Sequence, residues 1–380
     1  MKALVVFITL LYSVTLFAQE RITLLFVGDL MQHQAQIDAA RTSDGKYDYS
    51  PCFSQVKEQI SRADIAIANL EVTLGGKPYH GYPSFSAPDE FLKTAKDAGF
   101  DIFLTANNHC LDRGKKGLER TIRMLDSLSV LHVGTYKNLS ERKQHYPLFI
   151  YKKNFCIALL NYTYGTNGIK VSSPNIVNYI DKEIIQQDIS SAKARKPDVI
   201  IACMHWGEEY HSLPNKEQRE LADWLLQQGV THIIGSHPHV IQPMELRTNG
   251  FQQHAIVYSL GNFISNMSAT NTDGGLIFTL ELEKYPLPPP VYPRFTDKSY
   301  SPSFVSSFIS FPFPRVIHCG YNLVWTAHPN LTREKNYILY PVNFSSDSLP
   351  STVRNHLNIF LKNSRKLLQR YNIGIIENSK

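Results

Sequence analysis

The sequence predicts an α/β fold built on a largely parallel β-sheet. Five short apolar segments are predicted to be buried strands, because continuous apolar runs suit strands that are covered on both faces. These strands are Ile22–Val27, Ile65–Ala68, Ile102–Ala106, Val199–Met204 and Thr231–Ile234. Two further strands, Pro147–Tyr151 and Phe155–Leu160, are instead predicted to form a hairpin around Lys153-Asn154. Strands that alternate with helices are typical of parallel sheets with right-handed crossovers.

Capping and turn signals mark the ends of the predicted helices. Ser50-Pro51 supplies a cap and a first-turn proline, which predicts a helix start. Asp89–Ala98 begins with acidic residues and stops before Gly99, as expected for a helix that ends at glycine. Gly117–Leu128 and Glu217–Gln228 have similar apolar spacing and are the other helices predicted between the strands.

The chain is predicted to divide into four parts. Residues 1–18 are expected to be a signal peptide, and residues 19–285 the main domain. Residues 286–320 are dense in proline and aromatic residues, which predicts an extended insertion. Residues 321–380 are expected to add strands and an amphipathic helix, Thr352–Tyr371, that pack on the main domain.

The N-terminal segment indicates export from the cytoplasm. Lys2 precedes an apolar run from Ala3 to Ala18, a pattern typical of a secretory signal peptide. The run is shorter than the ~20 residues that usually span a bilayer. We expect cleavage after Ala18 and a secreted or periplasmic protein. The alternative is an uncleaved N-terminal helix that anchors the domain in the membrane.

Composition limits the class of partner. The chain has 380 residues, 43% of them apolar, and a net charge of +6. No basic stretch is dense enough to suggest nucleic acid binding. The modest positive charge weakly favours acidic partners. The five cysteines include no Cys-x-x-Cys pair and are expected to be small buried residues.

Polar side chains follow the predicted strands at the point where each strand ends. They are Asp29, Asn69, Glu71, Asn108, His109, His205, His237 and His239. The carboxyl edge of an open α/β sheet is where ligands bind. Carboxylates, carboxamides and imidazoles are the N and O ligands of Zn²⁺, Mn²⁺ and Fe.

Each residue taken alone has a structural alternative. Asp29 follows a glycine, as in many turns, and Asn108 is also a suitable helix cap. A single histidine is more often a hydrogen-bonded structural residue than a metal ligand. The His237-Pro238-His239 pair directs two imidazoles at one small volume, and five such strand ends in one chain together predict a metal site.

The ordered motifs resemble one family. They are Gly28-Asp29, Asn69-Leu70-Glu71, Asn107-Asn108-His109-x-x-Asp112-x-Gly114, His205-Trp206-Gly207, Ser236-His237-Pro238-His239 and Ser259-Leu260-Gly261-Asn262-Phe263. This series, which covers about residues 22 to 285, resembles the CapA family of capsule and poly-gamma-glutamate synthesis proteins. That family is similar in turn to the calcineurin-like metallophosphoesterases. The resemblance implies a four-layer α/β/β/α sandwich with a C-terminal extension.

The resemblance also implies one or two divalent ions, of Mn, Zn or Fe. Asp29 and His239 would bind the first ion. A second ion would be bound by three residues, Asn108, His205 and His237. Glu71 would bridge the two ions. The chain departs from the broader superfamily in two places. Leu30-Met31 follows Asp29 where that superfamily has Asp-x-His, and Val72-Thr73-Leu74 follows Glu71 where that superfamily has a second Asp shortly after the bridging carboxylate. His33 is the nearest imidazole, and the first site is the less secure of the two.

The resemblance assigns catalysis to two residues. His109 would stabilise the transition state or protonate the leaving group. Asp112, one helical turn on, would hold the tautomer of that imidazole. Candidate substrate contacts are Asn69, Trp206 and Asn262, with core packing as the alternative for Trp206.

Together these features imply an extracytoplasmic protein in capsule or poly-gamma-glutamate production. Its partners would be an anionic polymer or its precursor, and membrane-bound capsule synthesis proteins. Two alternatives stay open: a stand-alone metal-dependent hydrolase of a phosphoester or an envelope-polymer amide, and a non-catalytic binding protein. The missing Asp-x-His argues against robust phosphatase turnover, whereas the pair Asn108-His109 argues for some chemistry.

Overall fold

The computed structural model describes residues 19–284, 314–342 and 349–378. The predicted signal peptide and residues 286–313 of the predicted insertion lie outside these ranges. The strands are β1 Glu20–Leu30, β2 Ile65–Leu70, β3 Ile102–Leu104, β4 Leu131–Val133, β5 Thr135–Tyr136, β6 Leu148–Lys152, β7 Phe155–Thr163, β8 Ile176–Val177, β9 Val199–His205, β10 His232–Ser236, β11 Met244–Asn249, β12 Gln252–Val257, β13 Asn262–Ile264, β14 Gly274–Lys284, β15 Arg315–Ala327, β16 Ile338–Pro341 and β17 Ile376–Glu377. The helices are α1 Gln34–Ala40, α2 Ser50–Phe53, α3 Lys57–Ser61, α4 Asp89–Asp97, α5 Gly114–Ser127, α6 Leu139–His145, α7 Lys182–Ala194, α8 Lys216–Gln227, α9 Pro329–Thr332 and α10 Ser351–Tyr371.

The described strands form two main sheets. The first sheet has the order β16-β15-β14-β1-β2-β3-β4, with β13 paired to β1 and β17 paired to β15. Strands β1 to β4 are parallel, whereas β14, β15 and β16 are antiparallel. The second sheet has the order β11-β12-β10-β9-β7-β6 and is parallel from β12 to β7.

Alternating side chains of β1 define the layers. Leu24 and Phe26 lie in the core that the two sheets share, whereas Leu25 and Val27 pack in a second core with Phe53 of α2. In the second sheet, all seven residues of β9 are buried, because α7 and α8 cover the face that the first sheet does not. The order of layers is therefore helices, sheet, sheet, helices. This is the four-layer α/β/β/α arrangement that the resemblance implied.

The predicted strands and helices agree with the structure to within a few residues, with one exception. The helix predicted to begin at Ser50 is two short helices, α2 and α3. Backbone hydrogen bonds of Ser54 to Pro51 and of Val56 to Phe53 span three residues instead of four, which interrupts the α-helix. The predicted hairpin is present, and Lys153 and Asn154 take positive φ angles of 47° and 63° in its turn.

The C-terminal part completes the first sheet. Strand β15 begins at Arg315, so the last residues of the predicted insertion belong to the sheet. Helix α10 buries Val353, Leu357, Phe360 and Leu368, as its amphipathic pattern predicts. Among the described residues, no helix combines the length and apolar character needed to cross a membrane. Four of the five cysteines are buried, and Cys156 is partly exposed.

Candidate metal centre

Strand register brings the first set of polar residues together. Asp29 is opposite Asn69 on β2 and opposite Asn262 on β13. In the second sheet, His205 is opposite Ser236, the last residue of β10. Since both sheets are parallel here, the carboxyl ends of β1, β2, β9 and β10 present their side chains at one edge.

Gly28 allows the backbone of β1 to approach the backbone of Gly261 closely at this edge. A Cβ atom on Gly28 would lie 1.8 Å from the carbonyl oxygen of Gly261, so no other residue fits at that position. The backbone N–H of Asp29 donates to the same carbonyl oxygen at 3.1 Å. This contact holds the segment before β13 against β1 and so brings Asn262 to the site.

The loop after β10 has an unusual backbone. His237 and His239 have φ angles of 101° and 58°, in a region that L-residues rarely adopt. Strained residues of this kind persist where surrounding structure holds them, and they cluster at functional sites. The N–H of Tyr210 donates to Pro238 O at 2.8 Å and ties the strained loop to the one after β9.

One group of candidate ligands consists of Asp29, Glu71 and His239. All three side chains are buried, and one ligand atom from each lies within 4.8 Å of the others. Nδ1 of His239 is 3.2 Å from Oδ2 of Asp29, and Nε2 of His239 is 3.8 Å from Oε1 of Glu71. The two carboxylates and the imidazole thus face one small volume.

A second group consists of Glu71, His205 and His237, also buried. Nε2 of His205 lies 3.6 Å from Oε1 of Glu71 and 2.8 Å from Oδ1 of Asn108. The rings of His205 and His237 are 4.8 Å apart between centroids. Glu71 therefore belongs to both groups, and Asn108 borders the second.

Unpaired buried atoms show that these groups fit a cation. Oε1 of Glu71 and Nδ1 of His237 are buried and have no hydrogen-bond partner. An unsatisfied buried polar atom costs about 1–3 kcal/mol, and native proteins contain few of them. A divalent ion would satisfy both atoms, and their oxygen and nitrogen chemistry suits Mn, Zn or Fe.

Burial sets the protonation of the ligands. It lowers the pKa of His205 well below its ordinary value, and with a smaller contribution from His239 it lowers the pKa of His237 to about 3. Both imidazoles are neutral at pH 7, which is the form that binds metals. Burial and the nearby charge of Asp29 raise the pKa of Glu71 well above its ordinary value. Burial would lower the pKa of His239, but the hydrogen bond and charge of Asp29 raise it.

Two of the predicted substrate contacts lie behind the ligands. Nδ2 of Asn69 donates to Oδ1 of Asp29 at 2.7 Å. Oδ1 of Asn262 is 3.0 Å from Nδ1 of His239, and its Nδ2 donates to Thr272 O at 2.9 Å. Since both amides are buried and directed at ligands or backbone, they position the ligands and present no surface to a substrate.

Trp206 lies in the core and not in a cleft. Its indole N–H donates to Tyr258 O at 2.9 Å, and the two rings are stacked. Only 2% of Trp206 is exposed, which agrees with core packing, the alternative role given above for this residue. His33 joins neither ligand group, because its Nδ1 faces Gln36 Oε1 at 3.3 Å and the backbone N–H of Asn266, also at 3.3 Å.

His109 and Asp112 form a pair beside the centre. Nδ1 of His109 is 2.7 Å from Oδ2 of Asp112, which also accepts from the N–H of Phe85 at 2.8 Å. The ring of Phe85 contacts His109 edge-on with centroids 4.6 Å apart. The imidazole is therefore fixed in orientation by a hydrogen bond and by packing.

A cavity of about 250 Å³ adjoins this pair. Its lining residues are Tyr82, Pro83, Ser84, Asn108, His109, Asp112, Asn167, Ile169 and Glu209. Asn167 accepts from Nδ2 of Asn108 at 3.2 Å and lies 3.4 Å from Nδ1 of His109. The cavity thus connects the predicted catalytic pair with the second ligand group.

Sequence reasoning missed three residues at the site. Asn167 and Tyr164 follow β7, and the Tyr164 ring lies 4.4 Å from the His237 ring. Because β7 was predicted only as a hairpin strand, its carboxyl end was not considered as part of the edge. Glu209 follows the His205-Trp206-Gly207 motif and was detectable as a carboxylate in a strand-end loop.

Comparison with known proteins agrees with the motif series. Residues 23–267 match the family model described as bacterial capsule synthesis protein PGA_cap. The chain belongs to this family. It is 29% identical over 274 residues to the capsule biosynthesis protein CapA of Bacillus anthracis, covering 68% of this chain and 63% of that protein. It is 28% identical over 289 residues to the PGA biosynthesis protein CapA of Bacillus subtilis strain 168, covering 72% of this chain and 70% of that protein.

Solved structures with some similarity include a phosphoesterase and a nucleotidase. The calcineurin-like phosphoesterase YfkN of Bacillus subtilis is 12% identical with a TM-score of 0.44, covering 93% of this PGA_cap chain and 100% of that chain. The NAD nucleotidase NadN of Haemophilus influenzae is 9% identical with a TM-score of 0.45, covering 92% of this chain and 61% of that chain.

Proposed function

We propose that this PGA_cap protein is a metal-dependent component of capsule or poly-gamma-glutamate production that binds an anionic polymer or its precursor. Family membership and the names of its Bacillus relatives support a role in capsule or poly-gamma-glutamate production. The observation that carries the metal dependence is the buried cluster of Asp29, Glu71, His205, His237 and His239, in which Glu71 and His237 each have an unpaired buried atom. The expected export signal supports a location outside the cytoplasm, secreted, periplasmic or membrane-anchored.

The chain would hold one or two divalent ions. Asp29, Glu71 and His239 would hold one, and Glu71, His205 and His237, with Asn108, would hold the other. Such ions polarise carbonyl or phosphoryl oxygens and neutralise negative charge.

The cavity beside the centre favours cation-dependent binding of an anion. Its described lining includes no lysine or arginine, and it does include the carboxylates of Asp112 and Glu209. An anionic carboxylate or phosphate would therefore meet like charge unless cations compensate for it. Ser84, Asn108 and Asn167 supply neutral hydrogen-bonding groups that would orient such a group.

The pair His109 and Asp112 favours a second candidate function, hydrolysis of a phosphoester or an envelope-polymer amide. Asp112 engages Nδ1 of His109, which leaves Nε2 to hold or donate a proton at the cavity. In this alternative the protein would be a stand-alone metal-dependent hydrolase. The same residues would bind the metal ions, and His109 and Asp112 would handle the proton.

The test compares binding with turnover. The purified chain, loaded with Mn²⁺, is titrated with poly-gamma-glutamate oligomers by calorimetry, and again in the presence of a chelator. The same preparations are assayed with chromogenic phosphoesters and gamma-glutamyl peptides. Metal-dependent binding without turnover supports the polymer-binding function, and metal-dependent turnover supports the hydrolase.

A double variant, His237→Ala with His239→Ala, serves as the metal-free reference, and His211→Ala serves as the matched control. His211 is an exposed histidine that belongs to none of the ligand groups. Elemental analysis is expected to find about one to two ions per chain in the wild type and in His211→Ala. A wild type that takes up no ion after reconstitution with Mn²⁺ or Zn²⁺ would overturn both candidate functions and leave a metal-independent binding protein.

A further inference from the structure

The loop after β9 brings a carboxylate to the open side of the centre. Glu209, His237 and His239 each offer a ligand atom, and these three atoms lie within 4.8 Å of one another. Glu209 also lines the cavity, which the ligands Asp29 and Glu71 do not. We propose that Glu209 is a metal ligand that closes the centre on its cavity side. This inference rests on the metal-dependent function proposed above.

The three ligand groups share members in a closed ring. The groups are Asp29 with Glu71 and His239, Glu71 with His205 and His237, and Glu209 with His237 and His239. Each pair of groups therefore has one residue in common. Glu209 is the exposed member of a group whose two histidines also belong to the buried groups.

His237 supplies an independent observation. Its side chain is 3% exposed, and its buried Nδ1 has no hydrogen-bond partner. His237 belongs to both the second group and the Glu209 group, and it is a buried imidazole with a ring nitrogen free to bind an ion. A carboxylate oxygen and an imidazole nitrogen are a suitable pair for Mn²⁺ or Zn²⁺.

The backbone fixes Glu209 relative to the two histidines. On one side of Glu209, the N–H of Trp206 donates to Ser236 O at 3.1 Å, and on the other side the N–H of Tyr210 donates to Pro238 O at 2.8 Å. These bonds extend the parallel pairing of β9 and β10 into the two loops. The backbone at Glu209 is thereby held next to the His237-Pro238-His239 loop.

Tight packing at Gly207 restricts the same loop. Gly207 has a φ of 90°, and a Cβ atom there would lie 2.6 Å from the side chain of Gln218. Gln218 is buried on α8 and donates to Oε1 of Gln242 at 2.9 Å. The path of the chain toward Glu209 is thus set by glycine geometry and a buried amide pair.

Charge gives a reason for a ligand at this position. Glu209 shares His239 with the group that contains the buried acids Asp29 and Glu71, and no lysine or arginine lines the described cavity. Three carboxylates converging without a cation would repel one another. With two divalent ions, three ionised carboxylates would offset three of the four positive charges. A third carboxylate also favours the harder ion Mn²⁺ over softer ions.

The experiment measures Mn²⁺ affinity of the metal-free chain by competition with a chelating dye. Glu209→Gln is expected to weaken at least one Mn²⁺ site about tenfold or more, as loss of an orienting or ligating group does. Glu208→Gln is the matched control, because it removes the same charge one residue away, from an exposed side chain that faces His211. It is expected to bind Mn²⁺ as the wild type does.

A spectroscopic measurement separates ligation from a general effect of charge. Co²⁺ substituted for Mn²⁺ has visible absorption bands that depend on coordination number. Glu209→Gln is expected to change the intensity of these bands, and Glu209→Asp, which keeps the charge but shortens the reach, is expected to change them as well. Thermal unfolding of the metal-free variants checks that the fold is intact.

Failure of this inference is distinguishable from failure of the metal centre. Equal Mn²⁺ affinities and Co²⁺ spectra for Glu209→Gln, Glu208→Gln and the wild type would remove Glu209 from the ligand set and leave the centre in place. A wild type that binds neither ion would overturn the centre together with the role of Glu209.

Discussion

Asn69 and Asp29 are opposite each other on neighbouring parallel strands, and Nδ2 of Asn69 donates to Oδ1 of Asp29 at 2.7 Å. The same amide nitrogen is 3.4 Å from Oε2 of Glu71. One buried carboxamide thus orients two carboxylates of the first ligand group. Asn69, which the sequence proposed as a substrate contact, is thus directed at two candidate metal ligands.

We expect Asn69→Leu to weaken metal binding while the fold is retained. Loss of an orienting partner typically lowers metal affinity about 10–100-fold. The measurement is Mn²⁺ affinity by chelator competition, with the content of secondary structure followed by circular dichroism. Asn154→Leu, in the exposed turn of the β6–β7 hairpin, is the control. Wild-type affinity in Asn69→Leu would show that Asp29 and Glu71 need no support from this amide.

Glu71→Gln is expected to change stability in opposite directions with and without metal. Without metal, Glu71 is a fully buried carboxyl whose Oε1 is unpaired, next to the like charge of Asp29. Replacing it with a neutral amide removes that repulsion, so the metal-free variant should be as stable as the wild type or more stable, by up to about 1–3 kcal/mol. The variant loses a member of two of the three ligand groups and should gain less from added metal than the wild type, which a ligand at 100 times its dissociation constant stabilises by about 2.7 kcal/mol.

Urea unfolding with chelator and with excess Mn²⁺ measures both effects. Glu283→Gln is a suitable control, because Glu283 is also buried but is paired with Nε of Arg21 at 2.8 Å. That variant should lose stability in both conditions. A metal-free Glu71→Gln chain less stable than the wild type would show that Glu71 has a structural role that this geometry does not reveal.

Asp112→Asn tests the predicted catalytic pair. Asp112 accepts from His109 at 2.7 Å and does not belong to any ligand group. If the protein hydrolyses a substrate, the variant should lose about 10²–10⁴-fold in turnover while keeping its metal content, since the group affects proton transfer and not the ions. Asp126→Asn is the matched control, because Asp126 forms a similar contact with His132 at 3.1 Å on the surface. A parallel loss of metal in Asp112→Asn would assign it to the centre instead.

Much of this architecture could be predicted from the sequence because it depends on local patterns. The apolar runs that became β1, β2, β9 and β10 end where polar residues begin, and parallel strands bring those ends to one edge. The sequence could therefore predict that Asp29, Glu71, His205, His237 and His239 lie together, and it proposed them as candidate ligands. The helix around Ser50 was divided by local hydrogen bonding that periodicity does not report.

The roles of individual polar residues could not be predicted because they depend on side-chain direction. Asn69 and Asn262 have the residue type of substrate-binding groups, but the strand pleat directs them at Asp29 and His239. Trp206 follows a ligand directly and still points into the core. Glu209 was detectable as a carboxylate in a strand-end loop, but its place beside His237 and His239 depends on backbone hydrogen bonds between two loops that the sequence does not show.

A buried histidine away from the centre provides a prediction about pH. His232 on β10 is 2% exposed, and its Nδ1 accepts from the N–H of Ala255 at 3.1 Å. Burial, with a smaller contribution from His254, lowers the pKa of His232 from 6.5 to about 3. The unfolded chain therefore takes up this proton near pH 6.5, whereas the folded chain does so only near pH 3. Below the unfolded pKa the proton favours the unfolded state, so stability is lost as the pH falls.

His232→Asn keeps an acceptor for Ala255 but cannot take up a proton in this range. The wild type should lose up to about 1.4 kcal/mol of unfolding free energy per pH unit more than this variant as the pH falls from about 6.5 to about 4.5. Urea unfolding at several pH values, with chelator present throughout, measures the two slopes. His211→Asn, which changes an exposed imidazole, should follow the wild type. Parallel slopes for the wild type and His232→Asn would mean that His232 takes up its proton in the folded chain as readily as in the unfolded one, against the penalty that its burial imposes.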